Sequence, residues 1–142
     1  MPRLKVLFLC TSNSCRSQMA EGWARFLKPD IVEPHSAGIK PGILDPCAVR
    51  VMAEAGVDIS GQRSKHLDEL KDRGFDYVIM VCDGADESCP FFPGKTVRIQ
   101  KGFDDPPKLA KSAKTEDARL NHYRRVRDEI RVFVEGMPEN LK

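Results

Sequence analysis

Lys5-Val-Leu-Phe-Leu9 runs straight into Cys10-Thr-Ser-Asn-Ser-Cys-Arg16-Ser17. A short apolar run ended by a polar, turn-rich stretch is the pattern of a buried strand followed by a loop. From about Ser17 to Leu27 the apolar residues Met19, Ala20, Trp23, Phe26 and Leu27 recur at helical spacing, and Pro29 closes that helix. A loop held between a strand and a helix start turns backbone N–H groups inward, and the helix N-terminus adds positive potential. Such a cavity suits a tetrahedral oxyanion, lined here by Thr11, Ser12, Asn13, Ser14, Cys15, Arg16 and Ser17. Arg16 brings a planar, permanently charged fork that grips two oxygens. Cys10 would lie beneath the anion, where the N–H groups, Arg16 and the Ser17 hydroxyl all favour its nucleophilic thiolate. Asn13 suits a loop position with φ > 0. The bland alternative is a strand-to-helix turn that happens to contain two cysteines. The strand before the loop, the helix after it and the serine behind the arginine favour the anion cradle.

Outward from this segment, Ile31 to His35 reads as a second strand, which Pro34 shortens or places at a sheet edge. Asp45-Pro46 starts a helix, with Asp45 as N-cap and Pro46 at the first position. Val49, Met52 and Ala53 are expected on its buried face, and Gly56 stands where a helix-ending glycine belongs. Tyr77-Val-Ile-Met-Val81 is a strand that ends at Cys82, and Thr96-Val-Arg-Ile-Gln100 is another. The last long helix runs from about Thr115 to Glu135. Leu120, Tyr123, Ile130 and Val134, with Val126 and Phe133 beside them, form its apolar stripe. Its arginines lie mostly off that stripe and read as a solvated face, not a nucleic-acid surface. Strands alternating with helices give an α/β protein with a mainly parallel sheet, in which ligands bind at the carboxyl ends of the strands. Cys10 and Cys82 fall just past strand ends and the pair Asp104-Asp105 a few residues past the next one, all on one edge of the sheet.

The 142 residues suit one domain, 1–142, long enough to bury roughly two-thirds of the unfolded surface. Apolar residues at 41% and charged residues at 31% exclude a disordered or fibrous chain. No run approaches the ~18 apolar residues of a membrane span. The opening MPRLKVLFLC has a basic flank, but its apolar run is too short for a signal peptide and no small-residue cleavage site follows. A net charge of +2 argues against a dedicated nucleic-acid binder. The expectation is a cytoplasmic monomer with neither nucleic acid nor membrane as partner.

The five cysteines are Cys10, Cys15, Cys47, Cys82 and Cys89. An odd number without a secretory signal is not a disulfide scaffold. The pairs Cys10/Cys15 and Cys82/Cys89 are spaced too widely for a zinc knuckle, and His35, His66 and His122 are scattered surface or loop residues without metal spacing. Reactive thiols in a reducing compartment are the better reading. Cys15 reads as a loop-packing residue, Cys47 as a small apolar filler and Trp23 as core.

The segment Cys10 to Ser17 resembles the phosphate loop of the low-molecular-weight protein tyrosine phosphatases and of their relatives, the thioredoxin-coupled arsenate reductases. Asp105-Pro106 looks like the Asp-Pro that carries the superfamily's general acid. Alone, Asp104 and Asp105 before Pro106-Pro107 would read as a turn initiator; near a bound anion, a carboxyl group there can protonate a leaving oxygen. Val81-Cys-Asp-Gly-Ala-Asp-Glu-Ser-Cys-Pro90 is similar to the redox segment of the arsenate reductases, and the likeness extends to Asp58-Ile-Ser60 and Gly102-Phe-Asp-Asp-Pro106. A phosphatase needs one nucleophilic cysteine and water, and no phosphatase-type tyrosine follows Asp105-Pro106. The resemblance therefore implies an arsenate reductase, with a tyrosine phosphatase as the alternative and a catalytically dead anion-binding module as a third, weaker reading. It also implies the fold: three layers, with a four-stranded sheet between helices and the oxyanion loop after the first strand.

The implied catalytic set is Cys10, Arg16, Cys82, Cys89 and Asp105. Cys10 attacks arsenate while Asp105 donates a proton to the departing oxygen. Cys82 then attacks the Cys10 sulfur, arsenite leaves with the electron pair, and a Cys10–Cys82 disulfide remains. Cys89 attacks Cys82, leaving Cys82–Cys89 for thioredoxin to reduce. No metal or organic cofactor is required, and phosphate or sulfate would compete for the loop. Some members of this group hold potassium through positions matching Asn13, Glu21, Ser36 and an acidic residue at 65. Lys65 stands at the last of these, so no potassium is expected, and the ammonium is expected to bridge to Glu21. If Cys82 to Cys89 were helical, the two Cα atoms would lie about 10 Å apart, beyond the roughly 4.4–6.8 Å of a disulfide. Either the helix unwinds or the segment is never helical; the expectation is that residues 82 to about 93 change shape in each cycle.

Overall fold

The computed structural model describes residues 2–70, 73–82 and 96–141. Cys89, and all of the 82–93 segment beyond Cys82, lie outside the described residues. Four strands form one sheet: β1 (Leu4–Cys10), β2 (Val32–Gly38), β3 (Tyr77–Met80) and β4 (Val97–Gln100). Their order is β2-β1-β3-β4 and every pairing is parallel. Helices α1 (Arg16–Leu27), α2 (Pro46–Glu54), α3 (Pro106–Ala110) and α4 (Glu116–Glu135) flank it in a three-layer α/β arrangement. Among the described residues no helix is long and apolar enough to cross a membrane.

The apolar run of β1 explains its central place. Val6, Leu7, Phe8 and Leu9 are all fully buried, as a strand covered on both faces must be. Burying each such side chain contributes about 1.5–3 kcal/mol. Pro34 is tolerated because β2 is an edge strand. That strand runs on to Gly38, past the expected end at His35, because Ser36, Ala37 and Gly38 continue the pairing with Phe8, Leu9 and Cys10. His35 is accordingly a strand residue; it bonds Glu33 and stacks edge-on to Phe75.

Helix α1 buries Met19, Ala20, Trp23 and Ala24, whereas Phe26 is 55% exposed and lies off the expected face. Trp23 is core, and its indole N–H donates to the Arg127 carbonyl at 3.1 Å, tying α1 to α4. Helix α2 begins as its sequence requires, the Asp45 carboxylate accepting from the Cys47 amide at 2.8 Å. Its buried face is Ala48, Val51 and Met52; Val49 is half-buried and Ala53 exposed, so the expected face is displaced. The cause is α4, on which α2 packs. Gly56 follows the helix at φ +86°, the left-handed turn that favours glycine. Helix α4 is capped by Thr115 and buries Leu120, Tyr123, Val126, Ile130 and Val134. Its arginines do more than face solvent: Arg124 and Arg127 both reach Glu54 at the end of α2.

Candidate active site

The site forms where β1 ends and α1 begins. The backbone of residues 11–14 has every carbonyl engaged on the outside of the loop. Thr11 O accepts from the Lys40 amide, Ser12 O from the Gly42 amide and Ser64 Oγ, Asn13 O from Gln18 Nε2, and Ser14 O from the Asp45 amide. In a trans peptide the N–H points opposite to the C=O. Four outward carbonyls therefore turn the amides of residues 12–15 toward the cavity. Asn13 makes the bend possible at φ 51°, a left-handed conformation that Asn adopts more readily than most residues. Gly38, beside it on β2, leaves no room for a side chain: a Cβ there would meet Thr11 O at 2.8 Å and Asn13 N at 2.9 Å.

Cys10 is buried at the base of this loop. Its sulfur lies 2.9 Å from Ser17 Oγ and accepts from the Asn13 amide at 3.3 Å. Cys15, the N-terminal boundary residue of α1, supplies no side-chain cap, so the first-turn amides stay available on the loop side. The Cys15 thiol is buried and pushed well above the usual thiol range. Burial is the main cause, joined by Asp45, Cys10 and Asp105, with Arg16 opposing. Cys15 is thus held as a neutral thiol.

Arg16 is 8% exposed and donates through Nη1 to the Phe103 carbonyl at 3.0 Å; its Nη2 stands 3.9 Å from Asp105 Oδ2. Asp105 precedes α3 and makes no capping hydrogen bond, which leaves its carboxylate toward the loop. Asp104 turns away to Arg125. Cys82 follows β3, the strand next to β1. Leu9 pairs with Met80 and the Val81 amide donates to Leu9 O at 3.0 Å, which sets Cys82 one residue past the position opposite Cys10. Cys82 is buried, and its carbonyl accepts from Gln100 Nε2. Cys10, Arg16, Asp105 and Cys82 are thus gathered at the carboxyl edge of the sheet. Cys47 packs half-buried on the core.

Lys65 does not bridge to Glu21. Its ammonium donates to the carbonyls of Ser36 at 2.9 Å and Arg63 at 3.1 Å. Glu21 is taken by Arg25 on one oxygen and the Ser36 hydroxyl on the other. Burial lowers the Lys65 ammonium below the usual lysine range, with the field of Glu21 opposing. A cation placed among Asn13, Glu21 and Ser36 would meet this ammonium, so these residues do not fit a bound potassium ion.

Sequence reasoning missed the residues that hold the loop from outside: Lys40, Gly42, Ser64 and Gln18, the last backed by Gln62. Their contacts span up to 52 residues or depend on backbone atoms, so no local pattern announces them. The anion loop itself was announced, and so was the family. The profile of the low molecular weight phosphotyrosine protein phosphatases matches residues 5–142. An arsenate reductase of Bacillus licheniformis is 46% identical over 130 residues, covering 92% of this chain and 91% of that protein. The solved structure of an arsenate reductase in the phosphate binding state superposes with a TM-score of 0.74 at 30% identity, covering 98% of this chain and 99% of the other. A thioredoxin-dependent arsenate reductase from Corynebacterium glutamicum superposes at 0.70 with 26% identity, over 98% of this chain and 64% of that one. The chain belongs to the low molecular weight phosphotyrosine protein phosphatase family.

Proposed function

We propose that this protein, acting as a single-domain cytoplasmic monomer, reduces arsenate to arsenite through a thiol relay that ends on thioredoxin. The observation that carries this reading is the placement of two cysteines, Cys10 and Cys82, at the ends of adjacent strands on the edge that also carries Arg16 and Asp105, with the Asn13 amide on the Cys10 sulfur. A hydrolytic phosphatase has no use for the second thiol. The arsenate reductases among its relatives, and the thioredoxin dependence of one of them, support the same reading.

In this mechanism the loop amides and the Arg16 fork bind three arsenate oxygens. The Cys10 thiolate attacks arsenic, and Asp105 gives its proton to the oxygen that leaves as water. Cys82 attacks the Cys10 sulfur; the As–S bond breaks, its electron pair stays on arsenic, and arsenite departs. Arsenic gains two electrons, and the two thiols lose them as the Cys10–Cys82 disulfide forms. Cys89 then displaces Cys10 to give Cys82–Cys89, which thioredoxin reduces. Phosphate and sulfate share the tetrahedral geometry and compete for the loop.

The test is arsenite production with thioredoxin, thioredoxin reductase and NADPH. Cys10→Ser and Cys82→Ser should abolish turnover, and Cys89→Ser should stop after about one turnover with Cys10–Cys82 trapped. Sustained thioredoxin-driven turnover by Cys89→Ser would sink the relay. Efficient hydrolysis of aryl phosphates without any reductant, and no arsenite, would make the protein a phosphatase instead.

A further inference from the structure

Gln18 is fully buried on the first turn of α1, and its side-chain amide has no spare capacity. Nε2 lies 2.9 Å from Asn13 O, 3.1 Å from Asn13 Oδ1 and 3.0 Å from Arg63 O, while Oε1 accepts from Gln62 Nε2 at 2.8 Å. Three oxygens around one nitrogen allow a single orientation, because the reversed amide would set Oε1 against three acceptors. Asn13 is oriented in turn. Its Oδ1 accepts from Gln18 and from the Lys65 backbone amide at 3.0 Å, so Nδ2 must face Ser17 Oγ, 2.8 Å away.

An amide NH2 only donates, so Ser17 Oγ accepts on that side. Its one proton is left for the atom on its other side, the Cys10 sulfur at 2.9 Å. The Ser17–Cys10 contact alone does not say which atom donates; the buried amides decide it. We propose that Gln18 is a positioning residue for Cys10: together with the Lys65 backbone amide it fixes the Asn13 side chain, which makes the Ser17 hydroxyl donate to the sulfur, the direction that favours a thiolate. The inference rests on Cys10 being the nucleophile, and it adds a residue outside the anion loop that holds the nucleophile's hydrogen bond in the productive sense.

The test reads the thiol directly and needs neither arsenate nor thioredoxin. The rate of Cys10 alkylation by iodoacetamide, located by peptide mass, is followed against pH in the full chain. Gln18→Glu keeps the shape but places an acceptor against Asn13 Oδ1, which should turn Nδ2 away from Ser17. Its alkylation midpoint should rise by about one pH unit, the size expected for one hydrogen bond to a charged group. Ser17→Ala should shift the midpoint similarly, and the double variant no further than Ser17→Ala alone, since both remove the same proton. An unchanged midpoint in Gln18→Glu would overturn the inference. Additive shifts in the double variant would overturn it too, because a general charge or loosening effect would then be at work. Should Gln18→Glu fail to fold, Gln18→Met decides: a raised midpoint supports the inference and an unchanged one overturns it. Retained turnover by Cys10→Ser would be a separate result, striking the proposed function and not the amide chain.

Discussion

The Arg16 guanidinium is hydrogen-bonded to the Phe103 carbonyl, 87 residues away in sequence, at 3.0 Å. One contact thereby ties the anion loop to the segment that carries Asp105. The second edge of the same fork looks toward Asp105 at 3.9 Å, so one side chain touches both the Phe103 carbonyl and the Asp105 carboxylate.

Replacing this fork should separate binding geometry from charge. Arg16→Lys keeps a cation but loses the planar pair of donors and the bond to Phe103. We expect kcat/KM for arsenate to fall by about 100-fold or more, the scale of losing one positioned donor to a developing charge, with the thermal midpoint little changed. Steady-state kinetics and a melting curve check both halves, and near-normal kcat/KM would remove Arg16 from the mechanism.

The approach of β2 to the loop makes Gly38 sensitive to a single methyl group. A Cβ there would press on the backbone of Thr11 and Asn13, which has no side-chain freedom with which to yield. Gly38→Ala should destabilise the fold by about 1–3 kcal/mol and lower turnover further through the displaced loop amides. Gly42→Ala, with nothing within 4 Å of the added atom, should be close to wild type. Denaturant titration of the two variants makes the comparison; equal stability would show that the loop gives way freely.

Lys65 supplies its own cation beside the loop, on the Ser36 and Arg63 carbonyls. Turnover should therefore be the same in sodium and potassium chloride at equal ionic strength. A clear preference for potassium would contradict the placement of the ammonium.

The link between α2 and α4 should show in acid. Glu54 accepts from Arg124 and Arg127, and the Arg124 hydrogen bond holds its carboxyl below the usual range, with burial opposing. A carboxyl lowered in the folded state adds stability above its unfolded value of about 4.3 and loses it as pH falls through the folded value. Glu54→Gln should thus cost up to about 1 kcal/mol at pH 7, as partly exposed pairs do. The cost should shrink toward zero below about pH 4. Urea titrations across that range give the curve; a cost independent of pH would assign the effect to packing.

What the sequence made legible followed from local physics. The apolar run of β1, the stripe of α4, the Asp45 cap and the left-handed Asn13 each depend on a few neighbouring residues, and each stands as read. Phe26 and the face of α2 were misread because the partner helix, not the period, decides which side is covered. The extension of β2 through Ser36-Ala37-Gly38 depends on a pairing with β1 that polar residues do not advertise. Helix α3 is too short for a period to register. At the site, Cys10, Arg16 and Asp105 were legible as residue types, while the carbonyl partners of the loop and the buried Gln18 were not. Asp104 and Asp105 are alike in sequence, and only Arg125 across the fold tells them apart.

Pro34 carries one more consequence. β2 is an edge strand whose far end is taken by Lys65 and His66, but around Pro34 its outer side has no strand beside it among the described residues, and an unpaired strand edge is a template on which a second chain can lay its own backbone. Proline withdraws a donor from that template, and the charged or titratable neighbours Glu33 and His35 would have to be stripped of water for a strand to dock. The sheet therefore resists growth at this margin.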